Sequence, residues 1–367
     1  MKFLNLLLFI IISTIFLLSG CDKDDPVSPE ETVNLPTVVT ADINDITYHT
    51  AIGGGEVTDD GGSEVTARGV VWCTSYMPTL ENDKTDDGSG TGSFTSDITD
   101  LQSGATYYVR AYAMNSEGTA YGDQVDFRTI QETGTVTDID GNEYETVKIG
   151  DQWWIAENLL TTRYRNGDDI LTGLIDAEWR ETTSGAYTIY PHDEVDGINS
   201  DAEMVDAYGK LYNWYAVDDD RGLCPEGWHV PSDEEWKQLE MHLGMTREEA
   251  DRSHGRGNPS EWRGVDEGGK LKSTRTEPDA HPRWREPNRG ATNESGFLGL
   301  PGGNFHPDWH MVLGVKYHGI YGTWWSSSSY GPYLAWDRIV GGNYITVGRT
   351  TGTSKRFGRS VRCIMYE

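Results

Sequence analysis

Apolar and polar positions alternate differently in successive stretches of the chain. Residues 3–18 form an almost uninterrupted apolar run, which is shorter than the roughly 20 residues that cross a bilayer comfortably. Residues 37–129 contain short alternating runs broken by glycine, such as 67–73 and 105–113. A period of two predicts β-strands, and this spacing of strands predicts a β-sandwich of roughly ninety residues.

The pattern changes near residue 134. Twelve of the 13 tryptophans lie between Trp153 and Trp336. Residues 136–144 predict a hairpin with an Asp-Gly turn, and residues 147–159 predict the strand that returns from it. Ser232 followed by Glu235 predicts a capped helix that runs to about Leu243. We therefore expect a mainly β protein whose C-terminal part is α+β.

The apolar run at residues 3–18 ends in Leu18-Ser19-Gly20-Cys21, which resembles the lipobox of bacterial lipoproteins. That resemblance implies that residues 1–20 are a signal peptide and that Cys21 carries the lipid anchor in the membrane. A plain secretory signal that happens to precede a cysteine is the alternative. Residues 22–25 resemble the export signal of Bacteroidetes-type lipoproteins, which implies the outer membrane, facing the exterior. Residues 21–36 are expected to be an acidic tether.

Two further resemblances concern the folded parts. Residues 101–118 resemble the late strands of a fibronectin type III domain, with Leu101 and Tyr107 placed like its tyrosine corner, and the domain would cover 37–130. Residues 134–367 resemble the Fibrobacter succinogenes major paralogous domain, which has a C-type lectin-like fold. The motifs of this second resemblance lie at 208–217, 224–236, 296–303, 324–328 and 360–364.

The second resemblance also implies a disulfide. It places the Cys224-Pro225 turn beside the C-terminal strand that contains Cys363, in a compartment that is oxidising. Two buried free thiols are the alternative.

Charge excludes two classes of partner. The chain has 59 acidic and 30 basic residues, a net charge of −29, which repels nucleic acid. Residues 264–270 have the spacing of a phosphate-binding loop, but Leu271 replaces the hydroxyl residue and the loop itself contains Asp266 and Glu267. Carboxylates there would repel phosphate, so no nucleotide is expected.

Catalytic and metal motifs are scarce. The sequence contains neither His-Glu-x-x-His nor Gly-x-Ser-x-Gly, so we expect no enzyme and no cofactor. Glu286-Pro287-Asn288 is the tripeptide that supplies calcium and sugar ligands in C-type lectins. Its usual companion Trp-Asn-Asp is missing, and chance occurrence is the alternative, so Glu286 and Asn288 are weak calcium candidates.

These observations predict a lipid-anchored surface protein for binding or adhesion, whose lectin-like head recognises an extracellular glycan or protein. An envelope or polysaccharide-acting enzyme and a purely structural lipoprotein are the alternatives. The resemblance places the ligand face between residues 324–326 and 361–363, and the alternative for each aromatic residue there is that it packs inward. The candidate residues are Tyr330, Tyr333, Trp336, Asp337, Tyr344 and Arg349.

Overall fold

The structure of the protein is a computed structural model that describes residues 33–253, 262–307 and 315–366. Antiparallel β-sheets dominate, as expected from the alternating pattern. Cys21 and the signal peptide lie outside the described residues. Within the described ranges, no helix combines the length and the apolar character needed to cross a bilayer.

The N-terminal domain is a sandwich of two antiparallel sheets. Strands β1, β2 and β5 form one sheet, and the other has the order β4-β3-β6-β7, with β8 also paired to β6. The backbone N–H of Gln102 donates to Tyr107 Oη at 2.9 Å, which is the tyrosine corner of a fibronectin type III-like sandwich. The strands are β1 (Thr37–Thr40), β2 (Ala51–Asp59), β3 (Ala67–Cys73), β4 (Asp83–Lys84), β5 (Gly92–Ile98), β6 (Thr106–Asn115), β7 (Gly118–Tyr121) and β8 (Val125–Arg128).

The C-terminal domain contains two larger sheets and several short helices. One sheet has the order β19-β11-β10-β9, so the last strand of the domain lies in the same sheet as its first three strands. The other sheet has the order β16-β17-β18. The strands are β9 (Thr133–Thr137), β10 (Glu143–Ile149), β11 (Gln152–Ile155), β12 (Tyr187–Thr188), β13 (Leu211–Tyr212), β14 (Asn304–Phe305), β15 (Val315–Lys316), β16 (Tyr321–Ser329), β17 (Leu334–Gly341), β18 (Gly348–Ser354) and β19 (Ile364–Tyr366). The helices are α1 (Asp176–Glu181), α2 (Asp201–Tyr208), α3 (Trp214–Val217), α4 (Asp233–His242), α5 (Arg247–Asp251) and α6 (Glu267–Leu271), with a 3₁₀ turn at His192–Glu194.

Of two local predictions, the structure confirms one and contradicts the other. Helix α4 begins after Ser232, whose Oγ accepts from the Glu235 N–H while the Glu235 carboxylate accepts from the Ser232 N–H, so the predicted capping box is confirmed. The single strand predicted over 147–159 is wrong. Gly150 has φ +61°, a left-handed backbone conformation that favours glycine. It forms the turn that separates β10 from β11.

Tryptophans fill the core on both sides of the sheet β16-β17-β18. Trp324 packs with Trp154, Trp236 and Phe297, whereas its neighbour Trp325 packs in the other core cluster, because successive side chains of a strand point to opposite faces. Both indole N–H groups are paired, Trp324 with Asn158 Oδ1 and Trp325 with the Tyr212 carbonyl, each at 2.8 Å. The predicted disulfide between Cys224 and Cys363 is also present in this core.

A buried imidazole lies in a third cluster of the domain. His318 is 4% exposed and lies between the rings of Tyr190 and Tyr208, with centroid distances of 4.9 and 4.3 Å. Its Nε2 has no hydrogen-bond partner among the described residues. Burial, helped by the positive charges of Arg283 and Arg285 and by His281, lowers the pKa of His318 to about 3.

The stability of the C-terminal domain should therefore fall as the pH decreases from 6.5 towards 3. The unfolded imidazole takes up its proton with an ordinary pKa of 6.5, whereas the buried one does so only near 3. Linkage predicts a loss of about 2 kcal/mol in unfolding free energy on going from about pH 8 to about pH 5. Denaturant titrations at both pH values should show this loss in the wild type and a smaller one in His318→Phe, which keeps a ring in the cluster. An equal loss in both proteins would contradict the assignment to His318.

Candidate ligand-binding site

Five buried charges hold the sheet β16-β17-β18 against helix α4. Glu240 Oε1 accepts from Arg263 at 2.7 Å and from Arg338 at 2.6 Å. Asp233 Oδ1 accepts from Arg338 at 2.9 Å, and both of its oxygens accept from Arg349, at 2.8 and 2.6 Å. Burial alone would raise the pKa of Asp233, but the Arg349 hydrogen bonds and the charges of Arg338 and Arg349 hold it at about 2. The carboxylate therefore stays ionised and keeps the arginines in place.

This network corrects the expected ligand face at two positions. Arg349 is 6% exposed and forms an ion pair with Asp233. Asp337 is fully buried on the other side of the sheet, where it pairs with Arg359 at 3.0 Å and accepts from the hydroxyls of Thr350 and Thr353. Both side chains have partners within the protein, so neither offers a charge to a ligand at the surface.

Three of the predicted aromatic residues lie together at the turn between β16 and β17, and we call them the hairpin patch: Tyr330, Tyr333 and Trp336. Tyr330 and Tyr333 are 48% and 75% exposed. Trp336 is half-buried, and the Arg349 guanidinium carbon lies 3.8 Å from the centroid of its ring. Tyr330 meets the Trp336 ring edge-on at 5.0 Å. The Asp233 ion pair that holds Arg349 thus also positions the indole ring against which Tyr330 packs.

Tyr344 lies apart from the hairpin patch. Ser329 pairs with Ala335 and Tyr321 with Gly341, so the hairpin patch and the segment after Gly341 lie at opposite ends of β17, about 20 Å apart along the strand. There the Tyr344 ring stacks on Trp262 with a centroid distance of 4.0 Å. The sequence offered no sign of this pairing, because the two residues belong to separate segments with no shared periodicity.

A buried lysine holds the segment that contains Tyr344, and sequence reasoning missed it. Lys272 is fully buried, and its Nζ donates to the backbone carbonyls of Arg289, Gly341 and Tyr344 at 2.8, 3.1 and 2.8 Å. Burial lowers the pKa of Lys272 to about 8. A lysine in a mixed polar segment looks like an ordinary surface residue, so only the fold shows that it joins three loops.

Each calcium candidate has its own environment in the structure. The Asn288 side-chain amide donates to the Ser273 carbonyl at 2.8 Å, whereas Glu286 is exposed. Among the described residues, no group of three or more His, Cys, Asp and Glu side chains is placed to hold a metal ion.

Comparisons with known proteins bear on the C-terminal domain first. The family model of the Fibrobacter succinogenes major domain matches residues 147–365. The chain belongs to this family. No curated protein is similar enough to the chain to count as a match.

Solved structures provide more distant similarities. A short form of the sensor domain of the anti-sigma factor RsgI4 from Pseudobacteroides cellulosolvens is 17% identical, and the match covers 28% of this chain and 97% of that one with a TM-score of 0.21. The sixth fibronectin type III domain of human fibronectin type III domain containing protein 3 is 20% identical over 28% of this chain and 94% of that one, with a TM-score of 0.23.

Proposed function

We propose that the protein is a non-catalytic, lipid-anchored surface protein whose C-terminal domain binds an extracellular glycan through the hairpin patch. One observation carries the proposal: the exposed ring of Tyr330 packs on an indole ring that buried charges hold in place, and the exposed Tyr333 lies in the same turn. Flat rings pack against the apolar C–H faces of sugars, and a rigid platform loses little conformational freedom on binding. An extracellular protein is the second candidate ligand, because the same rings suit protein contacts.

The location at the cell surface rests on Cys21 and the residues around it. Acylation of Cys21 would anchor the chain, and the tether and the sandwich would hold the C-terminal domain away from the membrane. Incorporation of a fatty-acid analogue that persists in Cys21→Ser would contradict this part of the proposal. A C-type lectin-like fold for the C-terminal domain also stays a prediction, and the pairing of β19 with β11, which joins the ends of the domain, is in keeping with it.

The double variant Tyr330→Ala/Tyr333→Ala should weaken glycan binding by about tenfold or more, since aromatic residues at the centre of a binding site commonly contribute about 2 kcal/mol each. The measurement uses residues 22–367 on a glycan array, followed by titration of any glycan that binds. Both side chains are exposed, so the thermal unfolding midpoint should change by only a few degrees.

Tyr344→Ala is the matched control, because it removes the same ring from the opposite end of β17. Its affinity should equal that of the wild type. Loss of binding in Tyr344→Ala, with wild-type affinity in the double variant, would move the site to the Trp262 stack. Turnover of a bound glycan by the wild type would contradict a non-catalytic function.

A further inference from the structure

The two domains are joined at residues 130–132, which are held by hydrogen bonds to both domains. Ile130 exchanges backbone hydrogen bonds with the sandwich, donating to the Thr47 carbonyl and accepting from the Gly104 N–H, both at 3.0 Å. Glu132, two residues later, already accepts from the backbone N–H of Lys148 in the C-terminal domain at 3.0 Å. A joint this short, hydrogen-bonded on both sides, limits how far the two domains can move relative to each other.

Gln131 fills the space between these contacts. Its side-chain amide donates to the Lys148 carbonyl. Its Oε1 occupies the space that a Cβ atom would take at position 104, where the chain has glycine. Gly104 also has φ +63°, which favours glycine. Next to the joint, Arg128 of the sandwich pairs with Glu294 of the C-terminal domain at 3.4 Å. Contacts on both sides of the joint therefore preform the space that the domains enclose.

This space is a cleft formed by residues of both domains. It consists of two adjoining cavities of about 560 and 450 Å³ that share Gln102, Ser103, Lys148, Ile149 and His242. Cavities of about 300–1,000 Å³ are typical of small-molecule sites, which are frequent at domain interfaces. Because the tyrosine corner fixes the backbone of Gln102, the wall contributed by the sandwich is as rigid as the joint.

Most charged side chains around the cleft are already paired within the protein. Lys148 lies 3.3 Å from Glu132, and Lys270 lies 3.0 Å from Asp266. Glu294 is the partner of Arg128. The charges cancel within each pair, so among the described side chains of the cleft no lysine or arginine is left unpaired to attract an anionic ligand.

An amide, a hydroxyl, an imidazole and a carboxylate are among the hydrogen-bonding groups that the cleft leaves for a ligand. The side chains of Gln102, Ser103, His242 and Asp151 line the cleft and make no hydrogen bond to another described residue. Gly150 lets the imidazole lie in the cleft, because a Cβ at that position would be 2.9 Å from His242 Nδ1. In its neutral form the His242 ring offers one donor and one acceptor.

We infer that the cleft between the domains is a second ligand site, distinct from the hairpin patch, and that it takes a short, uncharged oligosaccharide. Amide, hydroxyl and neutral imidazole groups can donate to and accept from the many hydroxyls of such a ligand, and the carboxylate can accept from them. The half-buried ring of Tyr108 provides apolar surface for its C–H faces. The site needs both domains, since neither provides more than one wall.

The test is calorimetric titration of residues 22–367 with uncharged oligosaccharides built from glucose, galactose, mannose or xylose. At least one should bind the wild type at millimolar concentration or below. Ser103→Trp, which fills the cleft without removing a hydrogen bond of the fold, should weaken that binding by about tenfold or more. The matched control Ser93→Trp, which adds the same ring at an exposed serine of the sandwich outside the cleft, should stay within about threefold of the wild type.

Further variants separate the two sites. Gln102→Ala removes a ligand-binding amide and should also weaken binding, whereas Gln124→Ala, a glutamine of the sandwich outside the cleft, should not. Tyr330→Ala/Tyr333→Ala should leave binding in the cleft unchanged. Failure of every oligosaccharide to bind, or equal affinity in Ser103→Trp and the wild type, would overturn the inference. Loss of binding only in the tyrosine double variant would overturn it too, while leaving the hairpin patch in place.

Discussion

Glu240→Gln should lower the unfolding free energy of the C-terminal domain by about 3–5 kcal/mol, because it leaves buried guanidinium groups without their carboxylate. Glu240 is fully buried and accepts from both Arg263 and Arg338, which are themselves 0% and 1% exposed. The amide keeps the size of the side chain but removes its negative charge. Asp233 would then be the one remaining carboxylate in the network of three arginines.

Urea titration followed by tryptophan emission measures this effect, since twelve of the 13 tryptophans lie in the C-terminal domain. Glu234→Gln is the matched control: it makes the same change in helix α4, but at a side chain that is 46% exposed and pairs with Arg247 at the surface and with Lys237, which keeps Asp251 as a second partner. Exposed pairs contribute about 0–1 kcal/mol. A Glu240→Gln protein within about 1 kcal/mol of the wild type would show that the network stabilises the fold far less than its burial implies.

Loss of the Cys224–Cys363 disulfide should destabilise the same domain by about 4–5 kcal/mol on the chain-entropy account. The two cysteines are 139 positions apart, so the bond restricts a long segment of the unfolded chain. In the fold it also joins the loop before α4 to the C-terminal strand, which pairs with β11. The double variant Cys224→Ala/Cys363→Ala, compared with the wild type in urea, measures the loss.

Cys73→Ala provides the control for this variant, since Cys73 is a free, half-buried cysteine of the sandwich. Its removal should leave the stability of the C-terminal domain unchanged. Thiol counting on denatured, unreduced residues 22–367 should find one free thiol, from Cys73. Three free thiols would refute the disulfide.

The hairpin patch and the cleft use different parts of this framework. The network around Asp233 holds Arg349, and through it Trp336, so destabilising the network should also loosen the hairpin patch. The cleft depends instead on the joint at 130–132 and on the tyrosine corner. Variants of α4 that alter only the network are therefore expected to weaken ligand binding at the hairpin patch more than in the cleft.

Local patterns in the sequence determined much of the architecture. Alternating runs broken by glycine predicted the sandwich, and Ser232 with Glu235 predicted the start of α4, because period and capping act over a few neighbouring residues. The disulfide followed from a family resemblance. Tyr330 and Tyr333 are exposed, and their role in binding a ligand stays a prediction.

Only the tertiary structure decided which charged and aromatic side chains remain available to a ligand. Arg349 and its partner Asp233 are 116 positions apart, and Tyr344 is stacked on a tryptophan from another segment. The cleft combines Gln102 of the sandwich with His242 at the end of α4. Pairings of this kind depend on strand register and on the arrangement of the domains, which bring together residues that no local pattern connects.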